Sequence, residues 1–123
     1  VYVNPSTGTL FAVAKSFRIP HPTKSGKMLV YGSLEGPENG VYARGRLTGG
    51  VTIELPDYWS HLVHEETVTI QLTAIGRKQN LYVKEVTGNS ITIGYTEMEL
   101  EAIDCYYYIM AERKDVERLV VEE

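Results

Sequence analysis

From Glu66 to Ile75, apolar and polar residues alternate. Val68, Ile70, Leu72 and Ala74 take one side, and Thr67, Thr69, Gln71 and Thr73 the other. A strand with one buried face sorts residues in this way, because successive side chains point to opposite faces of a sheet. Val51-Thr-Ile-Glu-Leu55 repeats the pattern, with Val51, Ile53 and Leu55 inward. Leu81-Tyr-Val-Lys-Glu-Val86 and Ser90-Ile-Thr-Ile-Gly-Tyr95 flank Thr87-Gly-Asn89, a hairpin signal. Ile103 to Ala111 reads as a long tyrosine-rich strand, and Glu117 to Glu122 as a final one. Leu10–Ala14, Met28–Tyr31 and Val41–Arg44 bring the total to about eight segments at regular spacing. The expected fold is therefore all-β, an antiparallel β-sandwich or barrel of about eight strands. Nine tyrosines, with many Val, Ile and Thr, favour the same pleated structure.

One helical signal interrupts the strands. Pro56-Asp-Tyr-Trp-Ser-His-Leu-Val63 spaces Tyr58, Trp59, Leu62 and Val63 for one face of a short helix over about residues 57–63. Asp57 is the expected N-cap, and Trp59 the expected plug for an open end of the β structure. Lys114 to Arg118 suggests a further short turn.

At 123 residues the chain is long enough to bury a core without covalent staples. Its 43% apolar and 23% charged content is that of a globular protein. A formal net charge of −4 supplies no electrostatic footprint for nucleic acid or an anionic membrane, so neither is expected as a partner. No apolar run approaches the ~20 residues of a membrane span, and no signal-peptide pattern opens the chain, so no membrane insertion is expected. The single cysteine, Cys105, excludes an internal disulfide and a cysteine-rich zinc site; within its strand it reads as a buried thiol.

Residues 1–14 differ in character from the rest. Asn4-Pro-Ser-Thr-Gly8 is a tight turn between short extended pieces. This stretch reads as a connector from a longer chain, as does the start at Val1, and would pair with a neighbouring subunit. Residues 15–123 are expected to form a single β-rich domain.

Phe17-Arg-Ile-Pro-His-Pro22 and Leu34-Glu-Gly-Pro-Glu-Asn-Gly40 concentrate prolines and glycines, which implies fixed irregular backbone. His21 lies between two prolines on a stiffened chain and could act as a base or ligand, but it reads more naturally as a lock that hydrogen-bonds Glu35 or Glu38. Those two glutamates could serve as paired acids in glycoside hydrolysis. Being so close on one turn, they suit ion pairing with Arg44 and Arg46 better. Ser16, Ser25 and Ser33 lie near Lys15, Lys24 and Lys27, the ingredients of serine–lysine chemistry but also ordinary turn composition. His61 and His64 share a helical spacing beside Glu65 and Glu66. They lack the full pattern of a zinc protease and read as surface histidines, so no metal or cofactor is expected. Tyr106-Tyr-Tyr108 offers an aromatic surface for stacking on sugars or bases. Tyr107 is expected to face away from Tyr106 and Tyr108. No nucleophile elbow, P-loop or dinucleotide fingerprint occurs.

Lys15-Ser-Phe-Arg-Ile-Pro-His-Pro-Thr-Lys24, Leu34-Glu-Gly-Pro-Glu-Asn-Gly-Val-Tyr42 and Arg44-Gly45 resemble a block near the carboxyl ends of tailed-bacteriophage tail fibres and related virion appendages. Ile53-Glu-Leu-Pro-Asp-Tyr-Trp-Ser60, Thr69-Ile-Gln-Leu-Thr73 and Ala111-Glu-Arg-Lys-Asp115 fit the same pattern, so the resemblance runs from about residue 15 to the end. It implies a virion protein made in the host cytoplasm, a homotrimer contacting other virion proteins, and contact with a host-surface glycan or protein. The Ser-Asp-x-Arg cleavage sequence and long helical tail of chaperone-bearing relatives are absent, so their self-cleavage is not implied.

The expectation is thus a non-enzymatic module supporting trimer assembly and host-surface recognition. His21, Glu35, Glu38, Arg44 and Arg46 would serve as a loop lock or interface, and Tyr106, Tyr107 and Tyr108 as a binding surface. One rival is an enzyme, either a glycan depolymerase or a self-processing peptidase, using Glu35/Glu38 or a serine–lysine pair. The other is a purely architectural trimerisation module.

Overall fold

The computed structural model describes residues 2–11, 15–96 and 101–123. The fold is all-β: among the described residues there are ten strands, every pairing antiparallel, with one short helix and one 3-10 turn. Two compact units divide the chain, residues 1–34 and 35–123. Among the described residues no helix is long and apolar enough to cross a membrane.

In the first unit, β1 (Tyr2–Asn4) pairs with β2 (Thr9–Phe11) across a turn closed by Gly8 N–H donating to Asn4 O at 2.8 Å. The Asn4 side chain accepts from Ser6 N–H at 3.0 Å, the local bond that makes asparagine a turn former. Residues 12–14, where the domain boundary is expected, lie outside the described residues. β3 (Ser16–Pro20) and β4 (Met28–Gly32) form a second hairpin in this unit. Phe17 to Pro20 is therefore regular strand, which corrects the expectation of irregular backbone. Proline is tolerated because Pro20 is the last residue of a two-stranded ribbon, where its missing N–H breaks no ladder.

The second unit holds two three-stranded sheets. The first has the order β5 (Gly40–Thr48), β10 (Asp104–Glu112), β7 (Thr69–Ala74). The second has the order β6 (Thr52–Glu54), β9 (Ser90–Tyr95), β8 (Leu81–Thr87). Alternation along each strand supplies the core. Val41, Leu47, Cys105, Ile109 and Ala111 are buried from the first sheet, and Ile53, Ile91 and Ile93 from the second. Burying each large aliphatic side chain contributes about 1.5–3 kcal/mol. Val51, expected inward, is 40% exposed because β6 begins only at Thr52.

The β8–β9 hairpin turns on Gly88 and Asn89. Gly88 has φ of +55° and, among the described residues, no non-glycine has positive φ, the combination of a type II′ turn with glycine first. Asn89 Nδ2 donates to Asp57 O at 2.8 Å, and Leu55 N–H donates to Asn89 O at 2.7 Å, tying this turn to the chain before the helix.

That helix, α1 (Trp59–Leu62), is shorter than expected. Its N-cap is Tyr58 rather than Asp57, and no side chain caps it. Trp59, Leu62 and Val63 are all buried, which makes this turn part of the core. Lys114 closes its far end, with N–H donating to Leu62 O and Nζ donating to Ser60 O, each at 2.8 Å. A cation at a helix C-terminus also complements the dipole.

Glu117 to Glu122 forms no strand; residues 114–116 are a bend and 117–123 carry no regular structure. Arg118 anchors the segment through its Nε bond to Glu112 Oε1 at 2.8 Å, and Asn39 Nδ2 donates to Glu117 O at 3.2 Å. Beyond it Leu119, Val120 and Val121 are 49%, 72% and 68% exposed. The two valines carry the strand preference of β-branched residues without a ladder to join.

Candidate functional site

The antiparallel register of the first sheet decides which side chains share its solvent face. On β10, Tyr106, Tyr108 and Met110 point away from the buried Cys105, Ile109 and Ala111. Tyr106 stands opposite Arg46 on β5 and Thr73 on β7; Tyr108 stands opposite Arg44 and Gln71. Directly opposed side chains lie about 5 Å apart at Cβ. Two tyrosines, two arginines, a glutamine and a threonine thus come from three strands to one patch. They line an open groove of about 490 Å³, completed by Gly45 and Tyr107.

The aromatic part is firmly held. Tyr108 stacks on Tyr42, with ring centroids 5.5 Å apart and planes inclined by 9°. Such pairs add roughly 0.5–1.5 kcal/mol beyond area burial. Tyr107 takes the opposite face, as the alternation requires. Its ring covers its cross-strand partner Gly45, where a Cβ would sit 2.5 Å from the Tyr107 hydroxyl oxygen.

The two arginines differ. Arg46 makes a bidentate contact with Asp104, Nε to Oδ1 and a terminal nitrogen to Oδ2, each at 2.8 Å. The hydrogen bond from Arg46 holds the Asp104 carboxyl below its usual range, against the opposing effect of partial burial. The charge of Arg46, a bond from Thr48 and the charge of Arg77 assist. Reciprocally, the hydrogen bond to Asp104 and then its charge keep the Arg46 guanidinium more firmly protonated. Arg44 is exposed, and among the described residues no hydrogen bond or ion pair engages its guanidinium. One arginine is neutralised and positioned; the other presents its charge to solvent.

A second cavity of about 160 Å³ adjoins the groove through the shared residues Gln71 and Tyr108. Glu38, Thr67, Thr69 and Met110 complete it. Glu38 is half-buried and Glu35 exposed, on either side of the Gly36–Pro37 corner. Elsewhere in this unit a cavity of about 90 Å³ lies beside Trp59, Asn89 and Lys114, where Asn89 Oδ1 is buried without a hydrogen-bond partner.

In the first unit, His21 Nδ1 accepts from Thr23 N–H at 3.1 Å and Lys24 N–H at 3.0 Å, and the His21 backbone N–H donates to Lys27 O at 2.9 Å. His21 thereby staples the β3–β4 loop. Ser16 is the first residue of β3, and Ser33 N–H donates to Lys15 O at 2.9 Å; Ser25 lies in the loop. His61 is exposed at the end of α1, and His64 Nδ1 lies 3.8 Å from Glu66 Oε1. Among the described residues no group of three or more His, Cys, Asp or Glu side chains is placed to hold a metal ion.

Sequence reading named the tyrosines and arginines but missed Asp104, Gln71 and Thr73 as their companions. The outward set Thr69, Gln71 and Thr73 was visible in the alternation, yet only the strand order sets it beside Tyr106 and Tyr108. No protein family, curated sequence or solved structure matches this chain, and the reading of the site rests on its chemistry.

Proposed function

We propose that this chain is a non-enzymatic module of a tailed-bacteriophage tail fibre or similar virion appendage, which assembles as a homotrimer and recognises the host surface. The outer face of the β5–β10–β7 sheet is its binding surface. The observation that carries this reading is the joint exposure of Tyr106, the Tyr42–Tyr108 stack and the unpaired Arg44 around one open groove. Aromatic rings with an amphipathic body, interleaved with polar and cationic groups, suit a carbohydrate, whose rings stack while its hydroxyls hydrogen-bond. The groove is shallow and spans three strands, a shape that accepts a chain lying along it.

Assembly has its own support. β5 is a nine-residue edge strand, and Leu119, Val120 and Val121 are apolar and exposed. Closed symmetry is a general way of covering such edges and patches. The resemblance of residues 15–123 to fibre modules points the same way.

The test is to pass the whole chain over immobilised bacterial surface polysaccharides and size the polysaccharide afterwards. Retention with undiminished polymer length is expected. Shortened polymer would overturn the non-enzymatic reading, and failure to retain the chain on any polysaccharide would overturn carbohydrate recognition.

A further inference from the structure

We infer that the groove is built for an acidic saccharide, with a carboxylate-bearing sugar seated at Arg44 and a neutral sugar following toward Glu38; this rests on the carbohydrate reading above. The charge layout carries the inference. The whole chain is acidic, at −4, yet the centre of this face holds two guanidinium groups. Arg46 already spends its charge on a bidentate pair with Asp104, so it shapes the groove wall and is the weaker anion partner of the two. Arg44, directly across from Tyr108, keeps its planar fork of donors for an incoming anion. A carboxylate matches that fork with two parallel charge-assisted bonds.

Polarity along the groove follows from the neighbours. Gln71 lies on the other side of Tyr108, with both an amide donor and an acceptor for ring hydroxyls. Beyond it the surface passes to Thr69 and Glu38 in the adjoining cavity. A carboxylate there would repel an acidic sugar and accept bonds from the hydroxyls of a neutral one. Tyr108 stands between Arg44 and Gln71 and is the stacking platform on this path, while Tyr106, about 7 Å back along β10, flanks the acidic end beside Arg46.

Calorimetric titration of the full chain decides the matter, with sialyllactose and a hyaluronan tetrasaccharide as acidic probes and lactose and a chitin tetrasaccharide as neutral ones. The acidic probes should bind about tenfold more tightly than the neutral ones at low salt, and the advantage should shrink at high salt. Arg44→Gln should reduce the ratio of acidic to neutral affinity to near one. Lys84→Gln, which removes an equal charge from the exposed side of the other sheet, should leave the ratio unchanged. Tyr108→Ala should weaken both classes, with circular dichroism used to verify the fold of each variant. If wild type binds both classes equally, or Arg44→Gln keeps the preference, the acidic-sugar inference fails while carbohydrate recognition stands. If no probe and no surface polysaccharide binds, both fall.

Discussion

Two tyrosines lie over glycines on the strand beside them. Tyr107 covers Gly45 across the β10–β5 ladder, and Tyr82 covers Gly94 across the β8–β9 ladder. Glycine weakens a strand because nothing packs over its backbone, and a cross-strand aromatic ring restores that cover. The consequences of adding a methyl group differ. Tyr82 is 54% exposed and free to swing outward, whereas Tyr107 is half-buried on the core face. Gly45→Ala should therefore cost about 1–3 kcal/mol of stability in urea denaturation, and Gly94→Ala less than about 1 kcal/mol. The Arg46–Asp104 pair sets a pH dependence. Because the folded carboxyl titrates below its unfolded value, its contribution is complete above the ordinary aspartate range and is lost as pH falls through the depressed value. The stability gap between wild type and Asp104→Asn should accordingly be widest near neutral pH and close in acid. A gap independent of pH would show that the pair contributes nothing through charge. Cys105 is fully buried, and burial, assisted by the charge of Asp104, raises its thiol pKa. Thiol reagents should label it only as the chain unfolds.

The strands were legible where alternation was strict. β7, β9 and β10 largely follow the period of two, because a sheet with one buried face selects for it at every second residue, whereas a bulge at Lys84 interrupts it in β8. The failures have physical causes. At residues 117–122 strand propensity is high, but propensity does not reveal whether an edge is available to pair with. At Phe17–Pro20 the proline suggested irregularity, but a strand's last residue tolerates it. The candidate site was half legible. Outward tyrosines and nearby arginines could be named, but the neighbour relation β5–β10–β7 joins residues more than thirty positions apart, and no local pattern encodes that order. The C-terminal segment supplies its own prediction. Arg118 pairs with Glu112, which is only 7% exposed, so Arg118→Ala should cost about 1–3 kcal/mol by leaving a buried carboxylate without its partner. Truncation after Arg118 should change the stability of a single chain by no more than about 0.5 kcal/mol. Thermal denaturation of the two variants distinguishes an anchored residue from an exposed tail.

At the scale of the whole molecule, the second unit's buried apolar core supports a polar, aromatic outer face, and the proposed assembly is open to a direct test. Sedimentation equilibrium at micromolar concentration should return three times the 13.8 kDa of one chain; a stable monomer would remove the homotrimer from the proposal. The central claim is that the outer face of the β5–β10–β7 sheet is where this protein meets its ligand. Backbone amide shift mapping tests it most directly, by titrating the labelled chain with an oligosaccharide drawn from a surface polysaccharide that retains it. The shifts should concentrate at Tyr42–Arg46, Gln71–Thr73 and Tyr106–Tyr108. Shifts centred instead on the Trp59–Asn89 cavity or on the β3–β4 hairpin, with the sheet face unmoved, would contradict it.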